Sequence, residues 1–333
     1  MTCSSRFMCQ VMFSVFFCAI TAILLCSACT RRVEQAPQAG PGKGKEQAPA
    51  PAAQPEKVQP AETAEKPSAT APEAPGTATA ELSGPLFSTV ENFGRTPPPA
   101  PKVSTFAPAE DLVRQLERYV EGLEKIVADE EEYKDGKEKI AKDANTLIII
   151  ALALGLHDEP NKYQAHAGAI MAAANRLAAT IDRDSALKAV AVLREAVAGK
   201  HKVQKELHWG KAASLPELMK QVPLLNTRLK RYLKGERFKS KARDSAGLTA
   251  VIAAIAQGSL ADTSQAKDAE QAQKWYNYSV AMRDSAGELN AAIRKGDEAA
   301  AAEAMKKLTQ SCDDCHTVFH PEAKDLTVED EGD

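Results

Sequence analysis

From about residue 108 to residue 320, apolar positions return every three or four residues. Leu112, Leu116, Tyr119, Leu123 and Ile126 form one such stripe, and Leu218, Val222, Leu225 and Leu229 form another. That spacing puts each set on one face of a helix, turned toward a core. Gly, Asp and Asn supply most of the breaks, and proline is sparse. The pattern predicts eight helices, at 109–130, 136–156, 160–180, 184–200, 214–234, 243–258, 266–287 and 289–318. Gly296-Asp297 reads as a helix stop followed by an N-cap, and Met305, Leu308 and Cys312 mark the inner face of the last helix. From Leu147 to Leu156 nearly every residue is apolar. A helix apolar all round is buried or docked, so helix 136–156 is expected where two layers meet.

The eight helices read as two sets of four. Leu112-Val113-Arg114-Gln115 lies over Leu218-Met219-Lys220-Gln221, and Asp143-Ala144-Asn145-Thr146-Leu147 over Asp244-Ser245-Ala246-Gly247-Leu248. Asp182 matches Asp297 and, without a gap, Leu193 matches Leu308 and His201 matches His316. The expectation is an all-α protein of tandem antiparallel four-helix bundles, at 106–205 and 206–321, with short loops.

The flanks differ. Residues 30–105 are rich in Pro, Ala, Glu, Gln and Thr and carry no apolar period. Such a segment cannot bury enough surface to offset its ordering entropy, and is expected to be a disordered tether. Residues 322–333 read as a solvated acidic tail. Residues 1–29 hold Arg6, an apolar run from about Val11 to Leu25, and then small residues, the layout of a bacterial export signal. The apolar run falls short of the roughly 20 residues that span a membrane. Leu25-Cys26-Ser27-Ala28-Cys29 resembles the lipobox of bacterial lipoproteins, which implies lipid on Cys29 and a periplasmic protein tethered to a membrane. The usual Leu stands one place early, with Cys26 in its slot; simple cleavage and an uncleaved anchor stay open.

Composition narrows the function. The 333 residues carry a formal net charge of −3, which argues against nucleic acid as a partner. Aromatics make up only 5%, a mix suited to packed helices. No Ser-His-Asp order, phosphate loop or H-E-x-x-H run is present, so no enzyme activity is expected.

The chemistry sits at the end of the last helix. Five of the seven cysteines fall in the export segment; the other two stand in Cys312-Asp313-Asp314-Cys315-His316. C-x-x-C-H is the attachment motif of a c-type haem. Two thiols one turn apart can form thioethers to one porphyrin, and the following imidazole can bind its iron. Other uses of the pair are a zinc site, which usually needs four ligands, a redox dithiol, which wants a βαβ setting, and a plain disulfide.

The second half resembles the cytochrome c-prime family, four-helix-bundle c-type cytochromes of the bacterial periplasm. The resemblance rests on the motif's place near the C-terminus of the last helix, on Phe319 after it, and on Gly296-Asp297 before an Ala-rich helix. His320 stands where the family usually has Arg. The resemblance covers about a third of the chain, and another third through the duplication. It implies one covalent haem c on Cys312 and Cys315, with His316 as proximal iron ligand. The far side of the iron is either open or taken by a Met of the bundle's first helix, here Met219. Met282 and Met305 lie on later helices, and Met on an apolar face is ordinarily core filler.

The haemless half has Val113 at the place of Met219. His201 lacks both cysteines and is expected to be exposed or capping, rather than to hold a second haem; His157 and His166 read as structural or solvated. The resemblance also implies bundle-against-bundle pairing, here within one chain. Three functions follow: electron transfer to a redox partner, binding of a small gas such as nitric oxide or carbon monoxide, and a haem-stabilised helical interaction scaffold.

Overall fold

The structure is a computed structural model that describes residues 82, 85–203 and 205–321. The expected export signal, Cys29, most of the expected tether and the acidic tail lie outside the described residues.

The described residues are all-helical, apart from a single antiparallel bridge between Ser88 and Lys211. Helix α1 (Ala109–Ala128) buries Leu112, Leu116, Leu123 and Val127 completely. It meets α2 (Glu130–Gly155) at Asp129, which closes one helix and N-caps the next by accepting from the Glu132 amide at 2.8 Å. Three glutamates in the first turn of α2 favour its positive end. The break expected at 131–135 is therefore helix, and Gly136 serves close contact: a Cβ there would sit 2.8 Å from Ile126. A 3-10 turn, Gln164–His166, leads into α3 (Ala167–Ala178), which starts later than the pattern indicates. Helix α4 (Arg183–Val197) is capped by Asp182 and Ser185 in a reciprocal box.

Helix α5 (Leu215–Tyr232) is followed by a single turn, α6 (Arg237–Ser240), pinned by buried Phe238. Then come α7 (Ala242–Ser259), α8 (Ala269–Lys295) and α9 (Glu298–Phe319). Here the expected boundary at 287–289 is corrected. Helix α8 runs through Gly287 and stops at Gly296, whose φ of 72° is left-handed. Gly287 marks close packing instead, since a Cβ there would meet the Phe106 Cα at 3.0 Å.

All nine helices of the described residues fall in one compact unit, Ala74–Asp333. Helices α1 to α4 pack in order, with α4 returning to α1. In the second set α5 packs on α7, α7 on α8 and α8 on α9. Between the sets, α1 lies on α7, α2 on α5 and α2 on α7. The apolar run of α2 is thus buried from Leu147 to Leu154 with helices on both sides. Close approach is built in: Gly247 of α7 admits the Gln115 amide, and Gly258 admits Ile149. The Asn145 side chain accepts from the Ser214 amide at 2.8 Å, joining α2 to the start of α5.

Residues 85–105, expected to be tether, lie against these helices. Leu86 and Val103 are buried, Phe87 stacks on His208 with ring centroids 4.2 Å apart, and the Thr263 hydroxyl donates to the Glu91 carbonyl at 2.6 Å. Scattered apolar side chains hold a segment that has no helical or strand period. No helix of the described residues is long and apolar enough to cross a membrane.

Candidate haem site

Helix α9 sets the site. Asp297 caps it by accepting from the Ala300 amide at 2.9 Å, a contact worth ~1 kcal/mol. Its inner face is Ala301, Ala304, Met305, Leu308 and Ser311, all buried. Cys312 continues that face, four residues beyond Leu308, and packs on the main core. Cys315, one turn on, packs on a separate apolar cluster of Leu215, Leu260, Trp275 and Tyr276. The Trp275 indole is fixed by donating to the Ser259 carbonyl at 2.8 Å, and Phe319 meets it edge-on with centroids 5.2 Å apart.

Between α5, α8 and α9 lies a cavity of about 530 Å³. Cys312, Cys315 and His316 line it from α9, Met219 and Asn226 from α5, and Trp275 and Met282 from α8. The three motif residues and Met219 therefore share one cavity. Met219 is half-buried and packs on both apolar clusters. Met305 lies in the main core.

Pro223 sits inside α5. It lacks the N–H that would bond the Met219 carbonyl, and its ring presses on that carbonyl. The helix is thus weakened at the turn that carries Met219.

Both thiols are free. Burial pushes the Cys315 thiol up to about 12, with Cys312 adding to the effect, and burial raises Cys312 as well. Both are neutral thiols at pH 7. The Asn226 amide approaches the Cys312 sulfur at 4.0 Å, while its Oδ1 is buried without a hydrogen-bond partner. His316 faces His320 edge-on, centroids 6.4 Å apart. Among the described residues no group of three or more His, Cys, Asp or Glu is placed to hold a metal ion.

These residues fit a porphyrin with thioether links. The cavity falls in the ~300–1,000 Å³ range of cofactor sites, presents mostly apolar surface although Lys, Ser, Thr, Asn and Gln side chains also line it, and has both sulfurs and the imidazole on one wall. The sequence reading missed Asn226, Trp275 and Pro223. Asn226 stands seven residues beyond Met219, on the same helix face, which is the one signal that could have found it.

The remaining histidines lie elsewhere. The repeat register sets His201 against His316, but α4 ends at Val197 and turns at Gly199, where φ is 75°. His201 follows in the loop, 3.2 Å from a Glu195 carboxylate oxygen. Buried His157 is held by the Ala107 carbonyl and the Glu159 amide, each at 3.0 Å. His166 packs against Gly199.

Comparison with known proteins gives no match among family models, curated proteins or solved structures.

Proposed function

We propose that the chain is an exported monohaem c-type cytochrome that transfers electrons. Cys312 and Cys315 hold the macrocycle through thioethers, His316 is the proximal iron ligand, and Met219 is the sixth ligand. The observation that carries this reading is the shared cavity: the C-x-x-C-H motif and the methionine that the family resemblance implies line the same space. Bound haem supplies a one-electron couple, and His/Met ligation raises its potential while leaving no position for a substrate. The chain's own part is to fix sulfur, imidazole and thioether and to wall the cavity with Trp275 and Met282, the former braced by Phe319.

The two helix sets are, in this reading, a duplicated cytochrome c-prime-like bundle, one copy with haem and one without. Two registers support it. At an offset of 115 residues, Ala186, Ala189, Val190, Leu193 and Ala196 of α4 fall on Ala301, Ala304, Met305, Leu308 and Ser311 of α9, and all ten are buried. At an offset of 106, Leu112, Gln115, Leu116 and Leu123 of α1 fall on Leu218, Gln221, Val222 and Leu229 of α5, again all buried. The contacts also exchange as a two-fold pair would: α1 meets α7 as α5 meets α2. The haemless copy then acts as a built-in partner. Export and a lipid on Cys29 complete the proposal, because attachment to C-x-x-C-H takes place outside the bacterial cytoplasm.

Titration with dithionite and then carbon monoxide tests the ligand set. Sharp low-spin bands that resist carbon monoxide are expected. Broad high-spin bands, readily shifted by carbon monoxide, would remove Met219 from the iron and turn the reading to gas binding.

A further inference from the structure

The chain is slightly acidic overall, yet one segment of its surface is strongly basic. Between residues 228 and 243 it carries eight Lys and Arg against one acidic residue, Glu236. All eight are exposed. Arg228, Lys230, Arg231, Lys234, Arg237 and Lys239 make no ion pair among the described residues. These cations occupy the second half of α5, the α6 turn and the start of α7. On a protein of net charge −3 that is a concentrated field, and unpaired exposed cations self-repel unless something neutralises them.

Two lysines of α5 line the cavity: Lys230 of the basic segment, and Lys220, which also pairs with Glu217 at 2.8 Å. On the same helix Lys220, Leu224, Arg228 and Arg231 recur at steps of four, four and three, so they share one outward face. Leu224 is a large apolar side chain, 50% exposed, in the middle of that row.

We infer that this face is the docking surface for an acidic protein that exchanges electrons at the cavity; the inference rests on the redox reading above. An apolar contact ringed by charge is the layout of a protein interface, and complementary charge steers encounter more than it tightens the complex. A lipid surface fits less well, because an interfacial helix needs a broad apolar face and Leu224 stands alone here. A nucleic acid fits less well too, because single strands need stacking aromatics; Phe238 is buried and Tyr232 half-buried beneath Lys241.

The test uses the full chain carrying its haem, with fluorescently labelled flavodoxin as an acidic electron-transfer probe. Binding is read by anisotropy at about 20 mM and about 200 mM salt. The expected result is binding that falls about tenfold or more across that range, and about tenfold at low salt in R231E/K234E/K239E. Haem absorption should be unchanged in that variant, and K137E, on α2, should bind as wild type. Should the triple variant lose helical content, R231Q/K234Q carries the same test with an effect of about threefold.

Equal binding by wild type and variants would overturn the inference. So would uptake by phosphatidylglycerol vesicles with no binding of flavodoxin, which would assign the face to lipid. So would binding that appears only after the chain is shortened behind Pro321, which would assign the face to the chain's own acidic end. Because the readout is binding and not electron transfer, a chain found to lack haem would sink the redox reading while leaving the docking result interpretable.

Discussion

Replacing Asp111 with alanine should destabilise the protein by about 2–3 kcal/mol. Asp111 lies in the first turn of α1 with its side chain fully buried. Its carboxylate pairs with Arg114, accepts from the Asn290 amide at 3.0 Å, and accepts from Arg294 Nη1 at 3.2 Å. It thereby ties the first helix set to α8. Removing one partner of a buried pair costs ~3–5 kcal/mol when the other charge is left dry. Here the guanidinium groups are not fully dry: the Arg114 side chain is 17% exposed and that of Arg294 is 41% exposed. Arg294 also keeps Glu110, and Asn290 keeps the Ala246 carbonyl at 2.7 Å. Those compensations set the lower figure. Urea unfolding followed by far-ultraviolet circular dichroism measures it, with Glu110→Ala as a control expected within the ~0–1 kcal/mol of surface pairs. A loss below about 0.5 kcal/mol for Asp111→Ala would refute the claim that this carboxylate locks the two sets.

Met219→Ala should convert a low-spin spectrum to high-spin and lower the potential by about 0.1–0.2 V, a fraction of the ~0.8 V range that axial ligands span; spectroelectrochemistry reads both, and an unchanged potential would exclude ligation. Gly155→Ala should destabilise by up to about 2 kcal/mol, because its Cβ would meet the Ala167 Cβ at 2.7 Å and Leu207 at 2.4 Å, an overpacking cost of ~1–3 kcal/mol set against the ~1 kcal/mol helix-propensity gain; a more stable variant would contradict that packing. The Asp158 carboxyl is held down to about 2 by the hydroxyl and amide of Ser104. Its folded value lies below the ordinary ~3.9, so its contribution is full above about pH 4 and fades as pH falls toward 2. Ser104→Ala removes the hydroxyl and keeps the amide, so it should move the carboxyl part of the way back up, as NMR titration would show, and reduce that acid sensitivity; a carboxyl still near 2 would show that the hydroxyl does not hold it down.

Much of this was legible in residue spacing. The stripes of α1 and α5 are narrow and strongly periodic, so their helices and buried faces follow from sequence alone. That Cys312, Cys315 and His316 stand together at the end of one helix follows from the C-x-x-C-H spacing, whereas Met219 comes from the family resemblance and not from spacing. Other features depend on partners distant in the chain. Gly287 looks like a stop because glycine often is one; only its contact with Phe106 shows that α8 continues. Residues 85–105 have no period, and they are held by distant partners: His208 and Lys211 of the 205–214 segment, Thr263 after α7, and Asp158 after α2. The cavity is a packing property: it exists where α5 and α9 stand apart, and no local pattern records the gap. Asn226 and Trp275 gain their meaning only from that gap.

The central claim is one covalent haem per chain on Cys312 and Cys315. The most direct measurement is the alkaline pyridine spectrum of full-length protein made with haem-attachment machinery, taken before and after acid-acetone extraction. One haem per chain is expected, with a thioether-type spectrum that extraction does not remove, and no retained haem in Cys312→Ser/Cys315→Ser. Haem that extracts freely, or none in the wild-type chain, would contradict it.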